Sequence, residues 1–240
     1  LTLKPSEHLR EEIREKLVQS CRILHREVPS VHNPYPIGHF SARVPGTDEF
    51  MIKPRDVPWD RVEADDLMTF DLGYGKLSGP DYEIIELPIH VEMYRLRRDV
   101  MAVAHTHQTY ATLLGTLGLR LELLDASALA FTDGVPVYGE EDDPAYFSER
   151  IRMLIREERQ GRVLAEKIGG SRAIILKAHG PVIVGRSVEE ACMSTILLEK
   201  AAKAEIIAAA VRGQGKPIEG LGIAPRPPSV DQWRSLLDSC

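Results

Sequence analysis

His105 and His107 close an apolar run over 100–107 (VMAVAHTH), with one residue between them. In an extended chain side chains alternate with period two, so both imidazoles project from one face, a few ångströms apart. Two neutral imidazoles on one face are half of a divalent-metal site; they are equally two polar residues at a strand end. His179 stands directly after a second apolar run, in Ala178-His179-Gly180. Its structural reading is a turn histidine, with Gly180 supplying a positive φ. Glu86 precedes the His-x-His run on a helical segment and reads as a metal-competent carboxylate or a solvated one. His90 follows it by four residues on the same helix face and reads as a packed histidine, because an isolated imidazole on an apolar helix face is usually structural.

The elements that must carry these groups follow from periodicity. Leu9, Ile13, Leu17, Cys21 and Leu24 form one apolar face over 6–28, with Ser6 as N-cap. Pro29, Pro34 and Pro36 then mark a loop. Residues 39–44 and 50–53 predict a hairpin turned at Pro45-Gly46, and 67–71 a further strand. A helix is expected over 82–97 with Leu87, Val91 and Tyr94 on one side, and another over about 108–117. Residues 144–168 predict a long charged helix with Phe147, Ile151, Leu154 and Ile155 facing inward. Strands at 173–177 and 181–184 flank His179. A last long helix runs over 187–211, with Ser187 and Glu190 spaced as a capping box. This pattern predicts a mixed or mainly antiparallel sheet with helices on its faces. Residues 1–212 read as one domain and 213–240 as a proline-rich arm, whose Trp233, Leu236 and Leu237 are apolar enough to dock on a neighbouring subunit or on their own.

Composition narrows the function classes. The 240 residues are 43% hydrophobic and 28% charged, a globular balance. No apolar run reaches the ~18–20 residues of a membrane span, and no basic segment precedes an apolar one at the start, so neither a membrane partner nor a signal peptide is expected. A net charge of -6 disfavours nucleic acid as a partner. Three widely spaced cysteines exclude a disulfide scaffold and suit a reducing cytoplasm. Gly213-Gln214-Gly215 follows a helix instead of a strand and fails as a dinucleotide loop.

Taken in order, Gly38-His39-Phe40-Ser41-Ala42-Arg43, Glu86-Leu87-Pro88-Ile89-His90, His105-Thr106-His107 and Ala178-His179-Gly180 resemble the class II aldolase/adducin family over about residues 8–211. The resemblance implies a three-layer α/β/α sandwich with a mostly antiparallel central sheet, and a homotetramer with active sites at subunit interfaces. It implies that His105, His107 and His179 ligate a catalytic divalent ion. It also implies that Glu86 ligates that ion at rest and serves as acid or base. Zinc and manganese suit such ligands, as do iron and cobalt.

The departures from the family concern the substrate. Sugar-phosphate members hold phosphate with an asparagine, a Thr-Gly pair and a Ser-Ser pair, where this chain has His39, Arg55-Asp56 and Ile84-Ile85. Two isoleucines offer a phosphate no side-chain donor. The tyrosine that donates a proton in some aldolases aligns with Asp125. Arg55 carries a planar fork suited to a carboxylate, or pairs on the surface with Asp56 or Asp60. Ile84, Ile85 and Phe131 supply apolar walls, and His39, Ser41 and Arg55 are the expected substrate-binding residues. The expected substrate is a small-molecule carboxylate or carbonyl.

The expected function is therefore a divalent-metal-dependent carbon–carbon lyase acting through a metal-stabilised enolate, with decarboxylation of a hydroxylated aromatic or keto carboxylate preferred to aldol cleavage. A non-haem iron oxygenase and a non-catalytic adducin-like binding module are the alternatives from other classes. Oxygen uptake would mark the first, and a protein that holds no divalent ion the second.

Overall fold

The computed structural model describes residues 7–28, 37–150, 152–213 and 230–237. The expected cap at Ser6, the loop prolines 29, 34 and 36, the inward-facing Ile151 and most of the proline-rich arm lie outside them. Helix α1 (Glu7–Glu27) buries Ile13, Leu17, Cys21 and Leu24 on the expected face. Strands β1 (His39–Arg43) and β2 (Glu49–Lys53) pair antiparallel around the Pro45-Gly46 turn. β3 (Met68–Asp71) and the unexpected edge strand β4 (Lys76–Ser78) extend that half of the sheet. Helix α2 (Leu87–Leu96), strand β5 (Ala102–His105) and helix α3 (Thr109–Thr116) follow. β6 (Val137–Tyr138), also unexpected, precedes helix α4 (Glu158–Ile168), and β7 (Ala173–Leu176) and β8 (Gly180–Gly185) form the second hairpin. Helices α5 (Val188–Arg212) and α6 (Val230–Leu237) complete the described chain.

The sheet order is β4-β3-β2-β1-β5-β8-β7-β6. Every neighbouring pair is antiparallel except β6 with β7. Alternation along the strands divides the apolar residues between two cores. Phe40, Ala42, Met51, Ala104 and Ile175 face α1, α3 and α5, and Phe50, Ile52, Val103, Ile174 and Val182 face α2 and α4. Helices on both faces of one sheet make the three-layer sandwich, and the mostly antiparallel ladder is as expected.

Three local expectations are corrected. The described residues of 144–157 run as turns and irregular chain, not as helix, and Phe147 is 48% exposed. Helix α4 begins only where Glu157 and Gln160 form a reciprocal capping box. At the start of α5 only half of the expected box forms. Ser187 Oγ accepts from Glu190 N at 3.1 Å, but the Glu190 carboxylate goes to Arg186 N and Arg172. The positive φ beside His179 belongs to Ala178 (φ 59°). Gly180 is needed for a different reason: a Cβ there would lie 2.1 Å from the Thr106 carbonyl oxygen. Helix α6, the described part of the arm, lies against its own chain. It contacts α1 and α5, its Leu236 and Leu237 pack against the core, and Arg26 donates to the Leu236 carbonyl.

Candidate metal centre

Three chain segments bring four side chains together at one end of the central strands. β5 ends at His105, whose alternation puts it on the α2/α4 face beside His39 of β1, its partner in the ladder. His107 lies two residues past the end of β5, where the chain turns into α3, so the strand-period argument reaches it only through the continued run of the chain. His179 occupies the β7–β8 turn, and Glu86 is the N-cap of α2. Each offers a ligand atom, and the four atoms lie within 4.8 Å of one another. Glu86 Oε2 is 3.3 Å from His105 Nε2 and 3.7 Å from His179 Nε2, and the two Nε2 atoms are 3.3 Å apart.

Backbone groups fix how these side chains face. His105 Nδ1 lies 3.1 Å from the Pro181 carbonyl and His179 Nδ1 lies 2.7 Å from the Met153 carbonyl. A carbonyl only accepts, so each Nδ1 carries a hydrogen, and each Nε2 is turned toward the other and toward Glu86 Oε2. Glu86 Oε1 accepts from Ile155 N at 3.1 Å, which leaves Oε2 aimed at the imidazoles. Burial pushes the Glu86 carboxyl up, but the His179 and His105 rings outweigh it and hold the group well below the usual carboxylate range. Burial lowers His179, and it lowers His107 to about 2. The result is a close-set group of imidazole nitrogens and a carboxylate oxygen converging on one point. A proton on one ring would satisfy a single contact, whereas a divalent cation satisfies the set, and the carbonyl partners are those of a ligating histidine. The residues therefore fit a divalent ion.

The remaining expected site residues are distributed as follows. His39 is 1% exposed, its ring centroid is 6.0 Å from that of His105, and neither ring nitrogen has a protein hydrogen-bond partner. Burial holds it well below its ordinary pKa. Ser41 is on the same face but fully buried, its hydroxyl 2.7 Å from both His90 Nδ1 and Tyr94 Oη. In this structure its hydroxyl is taken up by His90 and Tyr94. His90 is the packed histidine expected, and burial lowers it to about 3. Arg55 has Nε 3.4 Å from Asp56 Oδ1, so its surface pairing exists, yet its charge also depresses His107. Ile84 belongs to the α2/α4 core and Phe131 to the opposite core, which leaves the half-buried Ile85 as the apolar residue next to Glu86. Asp125 caps the short 3-10 helix Ala126–Phe131 through Ser127 N at 2.8 Å. The groups missed from sequence, Met153 O, Ile155 N and Pro181 O, are main-chain atoms that no side-chain motif announces. The signal that could have exposed the first two is the Glu157-x-x-Gln160 box, which starts α4 beyond them.

Residues 15–206 match the model of a family described as Class II Aldolase and Adducin N-terminal domain. The chain is 26% identical over 176 residues to the meiotically up-regulated gene 14 protein of Schizosaccharomyces pombe, an alignment covering 71% of this chain and 63% of that protein. It spans less than two thirds of the length of the curated relatives it matches. Among solved structures it resembles an L-fuculose 1-phosphate aldolase from Glaciozyma antarctica, with a TM-score of 0.72, 22% identity, and coverage of 100% of this chain and 85% of that one. It also resembles an L-fuculose-1-phosphate aldolase from Thermus thermophilus, with a TM-score of 0.66, 23% identity, and coverage of 87% and 100%. At these identities the structural likeness establishes the fold.

Proposed function

The chain belongs to the class II aldolase and adducin family, and from that footing we propose that it is a divalent-metal-dependent carbon–carbon lyase. Within that class, our reading is decarboxylation of a hydroxylated aromatic or keto carboxylate. The observation that carries the proposal is the convergence of His105, His107, His179 and Glu86, with the Nε2 atoms of His105 and His179 and Glu86 Oε2 turned inward. These residues would hold a divalent cation, which would supply Lewis-acid chemistry for breaking a carbon–carbon bond. The chain's own residues do the rest. The two carbonyl-held imidazoles keep their Nε2 atoms directed without reorganisation. Glu86, anchored through Oε1, turns Oε2 into the site, where it would ligate the ion at rest or take a proton from the substrate as it reacts, a role worth on the order of 10²–10⁴ in rate. Arg55, partly exposed beside His107, binds the substrate carboxylate. His39 has two buried ring nitrogens without protein partners, and a substrate oxygen would satisfy one of them. The Ile85 side chain offers no donor to a phosphate.

Aldol cleavage is the second reading, favoured by the likeness to two fuculose-phosphate aldolases. The proposal extends to a cytoplasmic homotetramer, checked by the mass in solution. The deciding experiment is metal analysis followed by a panel of hydroxy- and keto-carboxylates, with carbon dioxide and aldehyde both measured. Metal-dependent carbon dioxide release is expected. Aldehyde without carbon dioxide would overturn decarboxylation in favour of aldol cleavage.

A further inference from the structure

The segment 152–155 is the irregular stretch where a helix was expected, and its main chain hydrogen-bonds to two side chains of the metal centre. The Met153 carbonyl accepts from His179 Nδ1 at 2.7 Å, and two residues later Ile155 N donates to Glu86 Oε1 at 3.1 Å. One short piece of chain therefore touches two of the four converging residues, which come from α2 and from the β7–β8 turn. We propose that 152–155 is a backbone positioning device that sets the orientation of His179 and Glu86 together. The inference rests on the metal-centre reading for its consequence, though not for its geometry.

Three further observations support it. Arg152 and Met153 both have positive φ, 53° and 63°, a region that L-residues with side chains avoid. Two consecutive residues stay there only where their surroundings over-determine the path, and such outliers concentrate at functional sites. The surroundings do over-determine it. Arg152 N donates to Ser148 O and Met153 N to Tyr146 O, each at 2.8 Å, while the Ile155 side chain is fully buried. Beyond it, Arg156 N and Glu157 N both donate to Gln160 Oε1, and Gln160 Nε2 donates to Asp143 Oδ2 at 2.6 Å. The stretch is thus fastened ahead of and behind the two groups that face the site. Tyr146 also donates to the Lys177 carbonyl at 3.0 Å, which braces the same loop against the turn that carries His179. A regular helix through these residues would commit both the Met153 carbonyl and the Ile155 amide to its own ladder, so the irregular path is what frees them.

The test uses three measurements on the whole chain. In metal-free wild type, ¹⁵N–¹H correlation of the histidine rings should find the His179 proton on Nδ1. Amide exchange at Ile155 should be slow in metal-free wild type and in Glu86→Gln, which keeps the acceptor, and fast in Glu86→Ala. Zinc titration of Ile155→Pro, which lacks the amide hydrogen, should raise the dissociation constant ten- to a hundredfold, the usual effect of losing a partner behind a ligand. If that variant does not fold, the first two measurements decide. A His179 proton on Nε2, or an Ile155 amide indifferent to Glu86→Ala, overturns the proposal. A wild type that binds no zinc but gives the expected ring and amide results overturns the metal reading and upholds the hold on the two side chains.

Discussion

His105 and His179 each give their Nδ1 hydrogen to a main-chain carbonyl, and this decides which nitrogen is left to act. Alanine at His105 or at His107 removes a converging donor, and both variants are expected to lose metal retention and turnover together; a metal-depleted variant with full activity would reject the assignment. Glu86→Gln keeps the volume and the acceptor toward Ile155 N but not the charge. Its turnover should fall by about 10²–10⁴ while its far-ultraviolet spectrum stays that of wild type. At this scale the sequence pointed to the four residues that converge, His105, His107, His179 and Glu86, because side-chain chemistry and order along the chain are written in it. It did not announce the surroundings of Ser41, whose hydroxyl lies between His90 and Tyr94. Nothing in His-Phe-Ser-Ala-Arg says which of two neighbouring elements will meet the serine.

At the scale of elements, periodicity located α1, α2, α3, α5, the two hairpins and the buried strand β5, since each buries a face with a clear repeat. It failed over 144–157. Phe147, Leu154 and Ile155 happen to fall at helical spacing, yet Phe147 is exposed and the backbone of 152–155 is engaged by the metal-centre side chains. β4 and β6 were missed because two or three residues cannot show an alternation. The turn between β7 and β8 illustrates a further limit. Gly180 is legible as a glycine turn, but its reason is a contact with Thr106 from a strand far away in sequence. Gly180→Ala must push β8 away from the chain that leads from His105 to His107. We expect a loss of about 1–3 kcal/mol, typical of overpacking, with weaker zinc binding, measured by urea unfolding and by titration. A variant as stable as wild type would show that this close approach is not tight in solution.

At the scale of the whole molecule, the sheet brings segments spread over most of the chain to one point, and its two cores hold them there. Lys53 is buried under the first hairpin, with its ammonium 2.8 Å from the Pro54 carbonyl and over the Trp59 ring. Burial lowers it to about 8 from an ordinary value of 10.5. The unfolded chain therefore binds more protons between those values, so stability should rise as pH increases from about 8 to 10.5, by about 3 kcal/mol in order of magnitude. Below pH 8 the cost of burying the charge is fully present. Urea unfolding across that range should show the slope in wild type and lose it in Lys53→Met; a flat wild-type profile would contradict the burial of a titrating amine. Among the described residues no helix is long and apolar enough to cross a membrane. The most direct test of the whole account is elemental analysis of the purified wild type beside His105→Ala. The account predicts a divalent ion in stoichiometric amount with the wild-type chain and its loss from the variant. A folded wild type that, after incubation with zinc, manganese, cobalt or ferrous iron, retains none of them would contradict it.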